Sequence, residues 1–354
     1  MLDTFCSSSK LLKTFEGHSF SVNSISSSKC NGNQFLCSGS SDRTVRVWDV
    51  ETTKQIQSFD GHSDFVDCTK FSPYHYHNHR QNVICSSSAD KTIRFWDFKD
   101  NKQLQVFNDH TLGVCGIEFS PFNGGRYLCS GSSDKTIRLW DVETSKSLHV
   151  FNGHRYGVLC VDISPLESYD NSKSNSIGVI GGNGYTICSG SWDTTVCTWD
   201  IETAKRLIVF KGHEDCVRCV KYGSNESGII GGSDTILSGS SDKSVRSWDI
   251  RSGQQIQVFK GHTNSVYAVE YSPLVTKDNR GFGLSNVICS GSSDNTIRFW
   301  DIQGNKESCV LYGDCNEDGI CSLQFFSLDY KNNDNSSNVN LCYGSEKGPI
   351  HIWG

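Results

Sequence analysis

The stretch SGSSDKTIRLWDVETSKSLHVFNGH, Ser130 to His154, decides the fold, because the chain repeats it. The pair Trp-Asp closes a strand-like run at Trp48, Trp96, Trp140, Trp199, Trp248 and Trp300, and Trp353-Gly354 ends a seventh, altered copy. Each run is preceded by a turn signal: Gly17-His18, Gly61-His62, Asp109-His110, Gly153-His154, Gly212-His213 and Gly261-His262, with Gly313-Asp314 in the seventh copy. A unit that recurs with only its loops changed is a structural module, and the number of copies sets the architecture.

Within residues 146–200, Lys146-Phe151, Val158-Ile163, Tyr185-Ser189 and Thr195-Trp199 read as four short strands. Four of the five prolines, Pro73, Pro121, Pro165 and Pro273, punctuate the same strand end, and no helical period occurs anywhere. A four-stranded sheet that is apolar on both faces cannot stand alone, but copies of it can stack around an axis. The expectation is an all-β chain: a seven-bladed β-propeller of four-stranded antiparallel blades, with strands a to d running outward. The domain spans 10–354, with repeats near 17–58, 61–106, 109–150, 153–209, 212–258, 261–310 and 313–354. Residues 10–15, Lys10 to Phe15, match the outer strands Lys54-Phe59 and Lys146-Phe151 but belong to no blade, while the seventh copy stops after strand c. The N-terminal strand is therefore expected to complete the last blade.

Composition excludes several classes. The net charge is -6, and no run of Lys or Arg marks a general nucleic-acid surface. No apolar stretch approaches the roughly 18 residues of a membrane helix, and the start lacks a signal pattern. The expected location is intracellular, cytoplasmic or nuclear. Of 17 cysteines, Cys37, Cys85, Cys129, Cys188, Cys289 and Cys342 share one repeat position. Equivalent positions in different blades are too far apart to bridge, so these read as buried thiols in a reducing compartment. Cys216-Val-Arg-Cys219 has redox spacing but lies in a repeat strand without a βαβ context, so it reads as structural.

These residues resemble the tryptophan-aspartate (WD) repeat β-propellers, and the resemblance covers essentially the whole chain. It implies a buried network in each blade that joins Trp on strand c, Ser on strand b, Asp in the b–c turn and His in the d–a turn. The implied sets are Ser38/Asp42/Trp48/His18, Ser86/Asp90/Trp96/His62, Ser130/Asp134/Trp140/His110, Ser189/Asp193/Trp199/His154, Ser238/Asp242/Trp248/His213 and Ser290/Asp294/Trp300/His262. An indole N–H only donates, a hydroxyl donates and accepts, and a carboxylate is expected to accept from Ser and His together. Each set looks like a hydrolase triad, but six copies in one ring argue for structure. In the seventh copy Tyr343, Lys347 and Trp353 align with Ser290, Asp294 and Trp300, so the network is missing there and blade 7 is expected to be the softest.

Catalysis needs ionisable groups converging near the axis. Six of eleven histidines belong to the networks, His75, His77 and His79 fall in one loop, His149 is on an outer strand and His351 on the last strand c. Alternation of His75, His77 and His79 in an extended segment would place three imidazoles on one side for a metal, although a solvated loop is the plainer reading. Inner-strand positions carry Ser26, Lys70, Glu118, Asp162, Lys221 and Glu270, whose mixed signs suggest a self-neutralised, wet channel. Gly178–Gly184 has the glycines of a phosphate loop but no following helix, and Gly228–Gly232 repeats it. The expectation is no enzyme, no cofactor and no metal; the rival reading is a metal-dependent propeller enzyme.

Members of the family commonly bind partners on the face of the d–a and b–c turns, around the channel mouth. The resemblance implies a mouth position at the start of each strand a, here Asn23, Asp67, Cys115, Leu159, Arg218 and Tyr267, and another just before the network Asp, which is Trp192 in blade 4. Most residues there are small, so Phe65, Asp67, Trp192, Arg218 and Tyr267 stand out as candidate partner-binding anchors. The function expected is a non-catalytic scaffold, a monomeric propeller that binds proteins or peptide motifs within a larger complex. Trp248-Asp-Ile-Arg251 is similar to the signature of cullin-type ubiquitin ligase substrate receptors, which makes that role an alternative. Asn23, Cys115 and Leu159 do not reproduce the aromatic mouth of the histone-tail-reading subfamily, and too few residues precede strand d for the N-terminal helix of a G-protein β-subunit.

Overall fold

The computed structural model describes residues 2–30, 32–164, 185–223, 234–274, 276–277, 283–284, 287–314, 318–327 and 339–354. Among these, seven four-stranded antiparallel sheets follow one another along the chain. Blade 1 comprises Val22–Cys30, Asn33–Ser40, Val45–Asp49 and Gln55–Phe59, and blade 4 comprises Val158–Ile163, Thr186–Ser191, Val196–Asp200 and Arg206–Phe210. The strands read from the sequence of blade 4 agree with these bounds to within two residues.

Side chains on both faces of each sheet are consumed by blade-to-blade packing. Phe151, Cys129 and Leu139 of blade 3 share one core with Val158, Ile187 and Trp199 of blade 4, all fully buried. The small strand-b residue in Ser-Gly-Ser lets adjacent blades approach: a Cβ on Gly131 would sit 2.7 Å from Val158 of the next blade.

The ring closes as expected. Leu11–Phe15 pairs antiparallel with Ile350–Trp353, bringing Thr14 opposite His351 and Phe15 opposite Ile350. Outside the closure the first residues depart from expectation. Leu2–Ser8 forms a short helix, α1, that buries Leu2 and Phe5, one turn apart, against blades 6 and 7. Cys6 within it forms a disulfide with Cys309 on the outer strand of blade 6. Nothing in the repeat pattern pointed to that pair, because 303 residues separate its members and neither occupies the shared cysteine position. The six cysteines at that position are free and fully buried, as expected. Burial pushes the Cys37 thiol up to about 12 and holds the other five well above the ordinary range.

A second helix, α2, covers Pro73–His79, where an extended loop was expected. Proline at its first position and a seven-residue span explain why no period was legible. Helical geometry turns His77 away from the other two: His75 points inward, bonds Ser72 Oγ at 2.8 Å, lies against Phe95 and keeps His79 beside it, with ring centres 6.2 Å apart, while His77 lines a separate cavity. The metal arrangement is thereby lost, and no group of three His, Cys, Asp or Glu side chains suited to a metal occurs among the described residues. The glycine-rich segments 178–184 and 228–232 lie outside the described residues, as does most of the other long a–b insertions.

Candidate functional site

The networks stand in six blades. In blade 1, Trp48 Nε1–H donates to Ser38 Oγ at 2.9 Å, Ser38 Oγ lies 2.7 Å from His18 Nε2, and His18 Nδ1 lies 2.7 Å from the Asp42 carboxylate. Because a carboxylate only accepts, Nδ1 carries the proton, Nε2 accepts from the Ser hydroxyl, and the hydroxyl accepts from the indole. The same connections, each within 2.7–2.9 Å, recur through Ser86, Ser130, Ser189, Ser238 and Ser290.

One detail differs from expectation. The carboxylate does not accept from the network Ser; it accepts from a hydroxyl two residues later, Thr44 in blade 1 at 2.6 Å. Thr92, Thr136, Thr195, Ser244 and Thr296 do the same in the other blades. A Thr or Ser two after every network Asp was visible in the repeat and would have identified this fifth member. Burial works against the ionised carboxyls, but the hydrogen bonds from His and hydroxyl outweigh it and hold all six well below the usual carboxylate range. In blade 2 the turn glycine allows close approach, since a Cβ on Gly61 would lie 2.7 Å from the Trp96 ring; blade 3 builds the same network with Asp109 there.

In blade 7 the position of the Asp holds Lys347, which pairs with Asp318 at 3.1 Å; both side chains are at least half exposed. The Trp353 indole N–H is buried and finds no hydrogen-bond partner among the described residues. This blade leans on the closing strand instead, where Thr14 Oγ1 lies 3.1 Å from His351 Nδ1.

The channel mouth is built by a repeated irregularity. Each inner strand shifts register against its neighbour after its first residue, at Val22/Ser24, Val66/Cys68, Val114/Gly116, Val158/Cys160, Val217/Cys219, Val266/Ala268 and Ile320/Ser322. A β-bulge leaves one residue unpaired and re-aims its side chain. The bulged residues are Asn23, Asp67, Cys115, Leu159, Arg218, Tyr267 and Cys321, and all seven line one open bowl of ≈ 570 Å³ at the mouth. Phe65 and Trp192 line it as well, so the five anchors named from sequence converge. Sequence reading missed Cys321 and Glu346, which also line the bowl; both come from the drifted seventh repeat, where Cys321 follows Ile320 as Tyr267 follows Val266.

Phe65 is 49% and Trp192 44% exposed. The Trp192 ring lies on the backbone of Gly157, where a Cβ would come within 3.0 Å of it. Arg218 donates from Nε to Ser241 at 2.8 Å, and its guanidinium lies over the Tyr267 ring, 5.3 Å from the centroid. Asp67 is half-buried on the opposite side and makes no hydrogen bond or ion pair among the described residues. Burial, reinforced by Asp64, raises its carboxyl to about 7.

Below the bowl the channel wall is self-neutralised as read: Lys70 pairs with Glu118 at 2.6 Å and Lys221 approaches Glu270 at 3.6 Å. Asp162, raised to about 6 chiefly by burial, accepts from the Tyr222 N–H at 2.8 Å. Arg251 is 79% exposed and pairs with Asp234 at 2.5 Å, outside the bowl.

Comparison with known proteins agrees with this architecture. The WD domain, G-beta repeat family matches residues 9–49, 53–97, 101–141, 145–200, 204–249 and 253–301. The chain belongs to the WD40 repeat family. The six matches stop short of the drifted seventh repeat. The human peroxisomal targeting signal 2 receptor is 35% identical over 63 residues, 18% of this chain and 20% of that protein, and its mouse counterpart matches equally. An uncharacterized WD repeat-containing protein of Schizosaccharomyces pombe is 46% identical over 57 residues, 16% of this chain and 9% of its own length. The chain thus covers a fifth or less of each relative. WD40 propellers are generally non-catalytic, protein-binding scaffolds. No helix among the described residues is long and apolar enough to cross a membrane.

Proposed function

We propose that this propeller is a non-catalytic platform that holds a protein or peptide motif over the channel mouth, on the face of the d–a and b–c turns, as a monomer within a larger assembly. The observation that carries the reading is the bowl itself: Phe65, Asp67, Trp192, Arg218 and Tyr267, from four different blades, line one open cavity. Trp, Tyr and Arg in a desolvating concavity are the types that anchor interfaces. A partial likeness to a receptor for a targeting signal is in keeping with recognition of a short segment. Exposure of Arg251 leaves room for a ubiquitin-ligase adaptor contact on a different part of the surface.

The test is affinity purification with mass spectrometry from native cells, comparing wild type with a folded Trp192→Ala/Arg218→Glu double variant. Loss of specific partners with the variant supports the mouth as the working surface. Retention of the same partners moves binding to the opposite face or the rim and removes these five residues from the site.

A further inference from the structure

The mouth is not chemically uniform. On blades 3 and 4 its rim continues outward into Leu112, Lys135, Arg155 and Tyr156, none of which sequence reading singled out. Leu112 is 48% and Tyr156 58% exposed, each lying two residues after the turn His. Lys135 Nζ sits 5.8 Å from the centre of the Tyr156 ring, and Tyr156 precedes Gly157, on which Trp192 lies. The side chains of Lys135, Tyr156 and Trp192 thus run as one strip from the b–c turn of blade 3 to that of blade 4, with Leu112 exposed on the d–a turn of blade 3.

Charge separates this sector from the next. Lys135 and Arg155 are exposed and make no ion pair among the described residues. On blade 5 the corresponding d–a turn carries Glu214 and Asp215 instead of Arg155 and Tyr156. A cation over an aromatic ring, with further apolar surface beside it and no side-chain ion pair among the described residues, complements a segment that brings both carboxylates and a bulky apolar side chain. The geometry points to blades 3 and 4 as a docking strip for an acidic peptide segment with an aromatic or aliphatic anchor: the anchor lies between Tyr156 and Trp192, and its flanking carboxylates meet Lys135 and Arg155. This rests on the mouth face being the working face, and adds the class of partner.

The probe is a phage-displayed library of random peptides, selected on wild type and counter-selected on Trp192→Ala. Of the eight tryptophans, Trp192 alone is an exposed large hydrophobic, so acrylamide quenching of the long-wavelength emission reports occupancy at this strip. The expected winners carry net negative charge and an aromatic or Leu, shield Trp192 from acrylamide, weaken as salt rises, and lose about tenfold or more in affinity on Lys135→Glu/Arg155→Glu. That double variant alters two exposed, unpaired side chains and is expected to melt with wild type. Trp192-dependent peptides that are neutral or basic, or that bind the double variant equally well, overturn the acidic partner and leave the mouth reading standing. Absence of any Trp192-dependent peptide also overturns it, while the native-cell purification decides the mouth separately. A single-stranded oligodeoxythymidine that binds more tightly than the selected peptides and displaces them assigns the strip to nucleic acid and equally overturns the inference.

Discussion

Thr14 Oγ1 and His351 Nδ1, 337 residues apart in the chain, lie 3.1 Å from each other across the seam that closes the ring. The bond matters because blade 7 has no indole network and its Trp353 N–H is unsatisfied. Deleting residues 1–16 exposes the edge of Ile350–Trp353 and the core that Phe15 shares with Trp48, Ile350 and Ile352. The truncated chain is expected to melt at lower temperature and to associate through the open edge, read by thermal unfolding and size-exclusion chromatography. A monomer with the wild-type melting curve would show that the seam contributes nothing.

Asp242→Ala opens a network in which His213, Ser244 and the backbone N–H of Glu214 all lose their acceptor. The expected loss of stability is about 3 kcal/mol, the size of leaving buried donors unpaired. Trp192→Ala, on an exposed turn, is expected to leave the melting temperature within error. Equal effects from the two substitutions would contradict the division between network and surface.

Acid should unfold the propeller cooperatively. All six network carboxyls sit below the unfolded value of about 3.9. Their stabilisation is complete above that value and is lost as the pH falls through it toward the folded ones. Circular dichroism between neutral pH and pH about 2 is expected to show a steep loss of stability beginning below about pH 4; a flat profile there argues against six ionised, hydrogen-bonded carboxylates.

Blade 4 differs from its neighbours at one residue. Where blades 1 and 5 place Arg46 and Arg246 near the network, blade 4 has Cys197. Burial lowers His18 and His213. In His154 burial is outweighed by the bond to Asp193 and by Cys197, and the imidazole is raised to about 9. Its contribution to stability is therefore full below about 6.5 and lost as pH rises through the folded value. Titration by NMR should find His154 charged at pH 8, and Cys197→Arg should lower it. A His154 that titrates with His18 in the unaltered protein would dismiss the role of Cys197.

Asp67 is held against its own solvation. Its folded value near 7 lies above the unfolded one, so it costs the fold increasingly as pH rises from about 4 to 7. Asp67→Asn is expected to raise the melting temperature at pH 8 and to change it little at pH 4. A retained destabilising carboxylate in a concave site is the pattern of a residue kept for binding. Equal shifts at both pH values would indicate that the carboxylate is solvated.

Much of this was legible in one chain. The repeated His, Ser, Asp and Trp, read through the resemblance to the WD-repeat propellers, named every network member except the hydroxyl of Thr44 and its equivalents, which the same repeat displays. The mouth positions came from the same resemblance; the bulges that build them recur with the repeat but show only in the strand pairing. Helix α2 was not legible, since seven residues hold too little periodicity, and its register turned His75 inward. Nor was the bond between Cys6 and Cys309, or the contact of Lys135 with Tyr156 from the next blade.

The sequence by itself determined the number of blades, their internal hydrogen bonding and the strand that closes them, because those depend on short-range pattern repeated in register. Only the tertiary structure decided that Asp67 has no partner among the described residues while Arg218 rests on Tyr267, and that Lys135, Tyr156 and Trp192 form one strip. Those relations join side chains from different blades, and their distances are set by the curvature of the closed ring, which no local run of residues contains.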